Sequence, residues 1–509
     1  MKRILCFVAF LLTLNSCKPQ TTNSKEAEGD SIRQPVFAGQ FYPADSTLLL
    51  KQIKFFIENA KPQKADNILA IIVPHAGYIY SGQIDADAYN QVKENKYELV
   101  VILGTNHTTA GFTNISVYPK GSFASPVGNL KIDDKAAKQL LEKDNDVTAN
   151  LSVHKKEHSI EVQIPFIKHL FPQVKILPII VGSPDIDMCD KFGKVLATIL
   201  KNKKVLVVAS SDLSHYPKFD DAIKVDNNTL KMIAGLNPIE IISEMQDQMD
   251  KSVPQLVTCA CGEAPIIAAI ELAKELGANG ASIISYSNSG YTSIGSTDRV
   301  VGYGAVAISK GRTSFISDVD SIITDNSYNL TSADKKMLLK FARETLEQYF
   351  ALQIIPLPRN INPMLKIKRG VFVTIKKHGE LQGCIGNMSG DTPLCTNVGA
   401  MALQAAFNDP RFNPLKQEEL SLVEIEISVL TPYMRIRNSD EIILGRDGVI
   451  VKKGNKQAVF LPQVATETGW NKEQFLDQLC YKAGLKAGDW KDADLFTFRA
   501  DVFSESDLH

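Results

Sequence analysis

The stretch Val205-Leu206-Val207-Val208-Ala209, which runs directly into Ser210-Ser211-Asp212-Leu213-Ser214-His215, decides the fold class of this 509-residue chain. A continuous apolar run of this length is typical of a strand buried on both faces of a parallel sheet. Three more runs share the pattern, and two of them lead into histidine: Ile68 to Pro74 before His75, Leu99 to Gly104 before His107, and Val174 to Gly182. Because helical patterns separate the runs, we predict a three-layer α/β domain.

Polar side chains able to bind metal or move protons follow three of these four predicted strands. In open parallel sheets, ligands bind outside the carboxyl ends of the strands. A single histidine at a strand end is more often a loop residue with a satisfied hydrogen bond, so the prediction rests on several such residues together. We expect His75, His107, Asp212 and His215 to meet at one edge of the sheet.

Strands and helices are expected to alternate from Pro35 to Ser309. The predicted helices are Ser46 to Ala60, Ser81 to Lys93, 134 to 143, Pro184 to Leu200, Asn228 to Met249 with a break at Gly235 to Pro238, and Gly262 to Leu276. Strands at Ala281 to Tyr286 and Val300 to Ile308 are expected to close the domain. The chain is long enough for roughly two to four domains.

The charge balance argues against a nucleic-acid partner. Lys plus Arg number 56 against 57 for Asp plus Glu, a formal net charge of -1, and no long basic run is present. A phosphate-binding surface would need such a run.

The first segment has the features of a targeting signal. Lys2 and Arg3 precede an apolar stretch from Ile4 to Leu14, which is too short to span a membrane. Leu14-Asn15-Ser16-Cys17 resembles a bacterial lipobox, so we predict a lipoprotein signal peptide at 1–16, lipid on Cys17 and a polar tether at 17–33. The expected location is the cell envelope, with the anchored chain facing the periplasm. The alternative is an ordinary signal peptide with a chance cysteine.

Six cysteines follow Cys17, and we expect all of them to be free. They are Cys189, Cys259, Cys261, Cys384, Cys395 and Cys480. An even number permits disulfides in an oxidising compartment, but domains of this size do not need them. Cys259 and Cys261 are too close in sequence to form a comfortable bridge.

A second histidine pair lies before the segment Ser159 to Phe166. His154 and His158 are four residues apart, one helical turn, as metal-binding pairs often are. Their charged neighbours, Glu157 among them, favour capping or surface exposure instead. We weigh the two interpretations equally for His158 and prefer the structural one for His154.

The segment Cys259-Ala260-Cys261-Gly262 precedes a predicted helix start, where backbone N–H groups and the helix dipole lower a thiol pKa. A buried, inert thiol is the preferred interpretation for Cys259. We predict that Cys261 is a metal ligand, because a site with two histidines otherwise lacks a third protein ligand. Two imidazoles and a thiolate suit iron, copper or zinc and disfavour magnesium or calcium.

Five separated motifs carry a resemblance to a known family. They are PHAGYIYSG at 74–82, LGTNH at 103–107, EHSIEVQIPF at 157–166, SSDLSHY at 210–216 and CGEAPI at 261–266. Over residues 34–309 the chain resembles the MEMO family, called AmmeMemoRadiSam system protein B in bacteria. The resemblance implies a fold similar to class III extradiol dioxygenases, which use non-haem Fe(II), and metal ligands at His75, His107 and Cys261. A thiolate in place of a carboxylate ligand argues against simple ring cleavage and favours copper or redox chemistry.

Three further residues are candidate catalytic groups beside that site: Asp212, His215 and His158. Because Asp212 and His215 are three apart in a loop, we expect Asp212 to accept a hydrogen bond from one ring nitrogen of His215. The other nitrogen would face the pocket as proton donor or acceptor. The second hypothesis is a non-catalytic metal- or peptide-binding protein that uses the same pocket. A fourth ligand from His158 or His215 would favour it.

After a polar linker at 310–329, the pattern changes to that of an α+β domain at 330–509. Thr331 is expected to cap a helix that ends at Phe350. The remaining predicted elements are a hairpin of Val371 to Lys376 with Glu380 to Ile385, a strand at Val423 to Leu430, a hairpin around Arg446 to Gln457, and a helix from Asn471 to Ala483.

Two stretches of this second domain, LQGCIG at 381–386 and AFNDPRFNPL at 406–415, resemble the AMMECR family, AmmeMemoRadiSam system protein A, over residues 330–506. The family has arginine where this chain has Gln382. We interpret Cys384 as a packed strand cysteine rather than a nucleophile paired with His378, and Asp409 and Arg411 as a pair across a turn. The resemblance also implies a radical-SAM partner, which the lipobox places on the other side of the membrane.

Overall fold

The computed structural model describes residues 31–63, 65–292, 295–311, 329–359 and 361–508. The predicted signal peptide, Cys17 and all of the predicted tether before Ser31 lie outside the described residues, as does most of the predicted linker. Within the described ranges, every helix is too short or too polar to cross a membrane.

The first domain contains strands β1 to β11 and helices α1 to α10. The strands are β1 (Ile32–Arg33), β2 (Ile68–Val73), β3 (Leu99–Thr105), β4 (Ile115–Val117), β5 (Ser122–Phe123), β6 (Leu130–Lys131), β7 (Val147–Thr148), β8 (Lys175–Val181), β9 (Val205–Ser210), β10 (Gly280–Asn288) and β11 (Gly302–Ser309). The helices are α1 (Ser46–Glu58), α2 (Tyr78–Asn90), α3 (Asp134–Lys143), α4 (Leu151–Lys155), α5 (His158–Glu161), α6 (Ile164–Leu170), α7 (Ile186–Leu200), α8 (Phe219–Ala234), α9 (Pro238–Asp250) and α10 (Glu263–Glu275).

Eight of these strands form one mixed sheet, in the order β10-β11-β2-β9-β3-β8-β4-β7. The four predicted apolar runs form its parallel centre, β2, β9, β3 and β8. Strand β11 pairs antiparallel with both β10 and β2, and β4 pairs antiparallel with β8. Val73 on β2 pairs with Ser210 on β9. His75 and Asp212, each two residues further along, therefore leave the sheet at the same level.

Both faces of the sheet are covered by helices, which makes three layers. Val101 faces one hydrophobic core together with Phe192 of α7, and Val100 faces the other together with Tyr89 of α2. All four side chains are buried. The architecture expected from the sequence, a three-layer α/β domain followed by a smaller α+β domain, is confirmed.

Two helices start three or more residues away from their predicted first residues, and the other predicted helices differ by at most two residues at their starts. Helix α2 begins at Tyr78, directly after the N-cap Gly77, rather than at Ser81. Helix α8 begins at Phe219, nine residues before the predicted start at Asn228, because its buried face already includes Phe219 and two acidic residues fill its first turn. The predicted break near Pro238 separates α8 from α9.

The second domain contains strands β12 to β19 and helices α11 to α14. The strands are β12 (Val371–Lys377), β13 (Glu380–Asn387), β14 (Val423–Leu430), β15 (Met434–Arg435), β16 (Gly448–Lys453), β17 (Lys456–Phe460), β18 (Asp494–Phe498) and β19 (Ala500–Ser504). The helices are α11 (Ser332–Leu352), α12 (Leu394–Phe407), α13 (Pro462–Thr468) and α14 (Lys472–Lys482). Thr331 and Asp334 form the predicted capping box on α11.

The strands of this domain form two antiparallel sheets, β13-β12-β14-β19 and β15-β18-β16-β17. Helices α11 and α12 share a core with the first sheet, and α14 shares a core with the second. The predicted β12–β13 hairpin turns at His378 and Gly379, both with positive φ, the geometry of a two-residue turn.

A seam of contacts joins the two domains. The side chain of Ile354, just after α11, is fully buried in the core of the first domain. Arg359 forms two hydrogen bonds, of 3.0 and 2.8 Å, with the carboxylate of Asp87 on α2. Lys368 contacts Asp220, in the first turn of α8, at 2.6 Å. Ile354, Arg359 and Lys368 therefore hold the second domain against the first.

Candidate metal centre

Three imidazoles and one thiol meet at the carboxyl edge of the parallel strands. The ring centroids of His75, His107 and His158 lie 4.6 to 5.1 Å from one another. The Sγ atom of Cys261 lies 3.1 Å from Nε2 of His75. Possible ligand atoms of His75, His107 and Cys261 all lie within 4.8 Å of each other. The structure thus brings together the three residues predicted as ligands.

The tautomer of His75 is determined by Ser210. The hydroxyl of Ser210 donates its one proton to the carbonyl of Ser159 at 2.6 Å. Its oxygen lies 3.1 Å from Nδ1 of His75 and can therefore only accept there. Nδ1 of His75 must carry a proton, which leaves the lone pair of Nε2 facing Cys261.

His107 is held in the same tautomer by a carboxylate. Nδ1 of His107 lies 2.9 Å from Oε1 of Glu157, and the backbone N–H of His107 donates to Oε2 at 2.8 Å. Burial alone would raise the pKa of Glu157, but hydrogen bonds from His107 and the Ser159 N–H outweigh it and hold the pKa at about 2. Glu157 is therefore a carboxylate at neutral pH, and Nε2 of His107 is free to bind metal.

Glu157 is a functional residue of this site that was not predicted from the sequence. Its charged neighbours suggested a solvated surface, yet the side chain is only 1% exposed. Glu157 is the N-cap of the short helix α5, so the capping interpretation holds for this residue. The one signal in the sequence for a functional role was that Glu157 directly precedes a candidate histidine, His158.

We expect Glu157→Gln to weaken metal binding about 10- to 100-fold, because an amide cannot accept both hydrogen bonds from His107 as strongly as a carboxylate. Competition with a metal chelator measures the affinity. Glu161→Gln is a control four residues further along: Glu161 is also buried, but its carboxylate accepts hydrogen bonds from Arg33 and Tyr42 rather than from a histidine ring. It should lower stability and leave the affinity near that of wild type. Equal metal loss in both variants would contradict the role given to Glu157.

His158 lies against His107 rather than in solvent. The two rings are stacked at 4.6 Å, and Phe41 lies 4.8 Å from the His158 ring on another side. Burial, and then the neighbouring His75, lower the pKa of His158 to about 3. His158 is thus a neutral imidazole close enough to the centre to bind metal with His107 and Glu157.

Cys261 departs from the expectation of an activated thiol. Burial, followed by the nearby Asp212 carboxylate, raises the pKa of Cys261 well above its usual value. Hydrogen bonds with Ser211 and the Asp212 backbone lower the pKa of the thiol but do not outweigh this effect. In the metal-free protein the predicted lowering of the pKa is therefore wrong. A bound cation would reverse the balance, since thiols deprotonate on coordination.

Asp212 and His215 do not form the predicted pair. Oδ1 of Asp212 accepts the backbone N–H of His75 at 2.8 Å, so the carboxylate orients the His75 loop. The backbone of His215 pairs with Thr258 and Val301, and these bridges fix its direction. Among the described residues, no hydrogen bond joins Asp212 to His215, and Nε2 of His215 is buried without a partner.

The remaining candidates have structural positions. His154 is buried rather than exposed, with Nε2 3.1 Å from Ser116 Oγ, so its predicted surface exposure is wrong. Its carbonyl accepts a hydrogen bond from buried Arg33. Cys259 is buried near the carbonyl of Met245, which agrees with the inert interpretation. All six described cysteines are free, as predicted.

In the second domain, Cys384 lies on β13 opposite Thr374, whose hydroxyl donates to the thiol at 3.2 Å. Asp409 and Arg411 pair at 2.8 Å as predicted, and Asp409 also accepts the backbone N–H of Cys384. His378 lies in the hairpin turn. These contacts tie the 409–411 loop to the strand and suggest no mechanism.

The donor set fits a transition metal. It comprises two imidazole nitrogens with fixed lone pairs, one thiol sulfur and, nearby, the unpartnered Nε2 of His215. Buried polar atoms are normally hydrogen-bonded, so the orphaned nitrogen beside this set points to a group bound at the centre, either the metal or a molecule next to it. Nitrogen and sulfur donors favour iron, copper or zinc over magnesium or calcium.

Comparisons with known proteins match both domains. A profile described as Memo-like protein matches residues 33–307 and one described as AMMECR1 matches residues 339–503. A MEMO1 family protein of Caldivirga maquilingensis is 35% identical over 289 residues, which cover 55% of this chain and 99% of the relative. One of Methanobrevibacter smithii is 35% identical over 288 residues, covering 53% and 98%. The crystal structure of an uncharacterized protein from Pyrococcus horikoshii is 36% identical, covers 35% of this chain and 94% of its own, and has a TM-score of 0.32.

Proposed function

The chain belongs to the Memo-like protein family over residues 33–307 and carries an AMMECR1 domain over residues 339–503, and from this premise we propose that it is a metal-dependent redox enzyme. The proposed metal is copper or iron, with zinc as an alternative, and the proposed ligands are His75, His107 and Cys261. One observation carries the proposal: the Nδ1 atoms of both histidines are committed to Ser210 and Glu157, so both Nε2 lone pairs are available beside one thiol.

When bound, copper or iron would supply one-electron redox chemistry that no side chain of this site offers. The residues of the chain bind and orient. Ser210 and Glu157 fix the two imidazoles, and Asp212 fixes the backbone of His75. Phe37 and Phe41 contact His158 and shield that side of the site from water. Nε2 of His215 is the group we assign to accept or donate a proton.

We expect His215→Ala to keep most of the bound metal and to lower turnover about 10²- to 10⁴-fold, the usual contribution of a general acid or base. Elemental analysis measures the metal, and oxygen consumption with a panel of aromatic diols measures turnover. His75→Ala, a ligand variant, provides the comparison. If His215→Ala loses as much metal as His75→Ala does, His215 is a ligand and the proton-transfer role must be abandoned.

The second candidate function is non-catalytic metal capture, favoured by one observation. Possible ligand atoms of His215, Asp212 and Cys261 also lie within 4.8 Å of each other, so His215 shares the Cys261 thiol with the proposed ligands and is the candidate fourth ligand. Closed sites are typical of structural or storage metals, and open sites of catalytic metals. X-ray absorption spectroscopy of the loaded protein distinguishes the two, because a closed site has no solvent ligand.

We also propose, from the sequence Leu14-Asn15-Ser16-Cys17, that the chain is a lipoprotein of the cell envelope. A cytosolic radical-SAM protein would then be separated from it by a membrane. Fractionation of cells into soluble and membrane parts tests this placement.

A further inference from the structure

Arg369 lies in the seam between the domains with half of its guanidinium unpaired. Its Nη1 donates to the carbonyl of Lys368 at 2.9 Å. Its Nε and Nη2 atoms are buried, and neither has a hydrogen-bond partner among the described residues. The neighbouring Lys368, in contrast, is paired with Asp220.

This edge of the guanidinium is the one that binds planar anions. Nε–H and Nη2–H point in the same direction and can donate two parallel hydrogen bonds to a carboxylate or phosphate. Arginine stays protonated in proteins, so burial does not relieve its need for acceptors. Leaving a buried charged donor unpaired costs more free energy than leaving a neutral one unpaired. An anion placed against Arg369 would remove this cost.

The backbone around Arg369 is held firmly. Nδ2 of Asn397 donates to the carbonyl of Arg369 at 2.8 Å. A Cβ atom on Gly390 would lie 2.0 Å from the Arg369 nitrogen, so only glycine allows this loop to pack directly on the Arg369 peptide. The unpaired edge therefore belongs to a fixed part of the domain.

A second unpaired polar atom lies at the start of α12, the helix that carries Asn397. Thr396, the residue before Asn397, is 2% exposed, and its Oγ1 has no partner among the described residues. It lies in the first turn of α12, whose N-cap Pro393 supplies no side-chain hydrogen bond. Lys368 forms a backbone bridge with Pro393, which brings this helix start beside the Arg369 segment.

We propose that Arg369, with Thr396 and the first turn of α12, forms an anion-binding site for the carboxylate or phosphate group of a small molecule. The arginine supplies the charge and two parallel donors, and the helix start adds a favourable dipole. The site lies where the second domain meets α8, which begins at Phe219, four residues after His215 in the sequence. The proposal does not depend on the metal-based function.

The test uses the full-length chain, dialysed into chloride buffer with a chelator so that phosphate cannot bind through a metal. Thermal unfolding is followed at increasing inorganic phosphate and, separately, at increasing acetate, with ionic strength held constant by sodium chloride. We expect saturable stabilisation by at least one probe and an affinity at least about tenfold weaker in Arg369→Gln. The probe that binds identifies the anion class.

Two further variants keep the test decisive. Arg446→Gln changes an arginine of the same domain whose guanidinium is already paired with Asp447, and should leave the affinity unchanged. Thr396→Val keeps the shape of the side chain and removes only the hydroxyl, so it serves if Arg369→Gln fails to fold. It should weaken binding severalfold. Wild-type protein that binds neither probe, or affinities that Arg369→Gln and Thr396→Val leave unchanged, would overturn the proposal.

Discussion

His75→Ala is expected to lower the metal content of the purified protein from about one ion per chain to a small fraction of that value. Among the described residues, His75 is one of two imidazoles that have both a fixed tautomer and a position beside the Cys261 thiol. Cys261→Ser should have the same effect, because a serine hydroxyl is a poor ligand for the metals that suit this site. Elemental analysis after equilibration with copper, iron or zinc measures the loss.

A matched pair of controls separates ligand loss from loss of fold. Cys259→Ser removes the neighbouring thiol, which is buried outside the cluster, and should keep the metal. His154→Ala removes a buried imidazole that lies outside the cluster, beside Ser116, and should likewise keep the metal. Metal that remains substoichiometric in wild type, and that neither His75→Ala nor Cys261→Ser lowers further, would refute the proposed centre.

Arg359→Met is expected to lower the free energy of unfolding by about 3 kcal/mol, because it leaves the carboxylate of Asp87 buried without its charged partner. Asp87 is fully buried in this pair and Arg359 is 21% exposed. The double variant Arg359→Met with Asp87→Asn should recover much of the loss, since it removes both charges. Urea denaturation of the chelator-treated protein, followed by circular dichroism, measures the difference.

Lys368→Met provides the comparison on the same seam. The side chain of Lys368 is 30% exposed and that of Asp220 is 46% exposed. Because water screens their attraction, its loss should lower the free energy of unfolding by less than about 1 kcal/mol. If Arg359→Met cost no more than Lys368→Met, the contact between Arg359 and Asp87 would not be a closed salt bridge, and the seam would be looser than the structure indicates.

The convergence of His75, His107 and Asp212 could be predicted from the sequence, because parallel strands with continuous apolar runs deliver their following residues to one edge. That convergence needed only the periodicity of each segment and the direction of its strand. Cys261 was added for a different reason: two histidines otherwise lack a third protein ligand, and the resemblance to the MEMO family implies the same residue.

Other features of the site depend on contacts between distant segments. The choice of tautomer on His75 follows from the bond between Ser210 and Ser159, which are 51 residues apart. The direction of His215 follows from backbone bridges to Thr258 and Val301, so a local argument from its spacing to Asp212 failed. Glu157 looked solvated because burial of a charge is visible only when its partners are known.

The position of Ile354 means that the boundary between the domains along the chain is not the boundary between them in space. A fragment that ends at Ser309 would contain every residue of the metal centre but would lack this side chain, which fills a place in its hydrophobic core. It would also lack the arginine that neutralises Asp87. Such a truncated protein would expose an apolar slot beside an unbalanced buried charge, a combination that promotes aggregation. Expression trials of the isolated metal-binding half should therefore extend past Arg359.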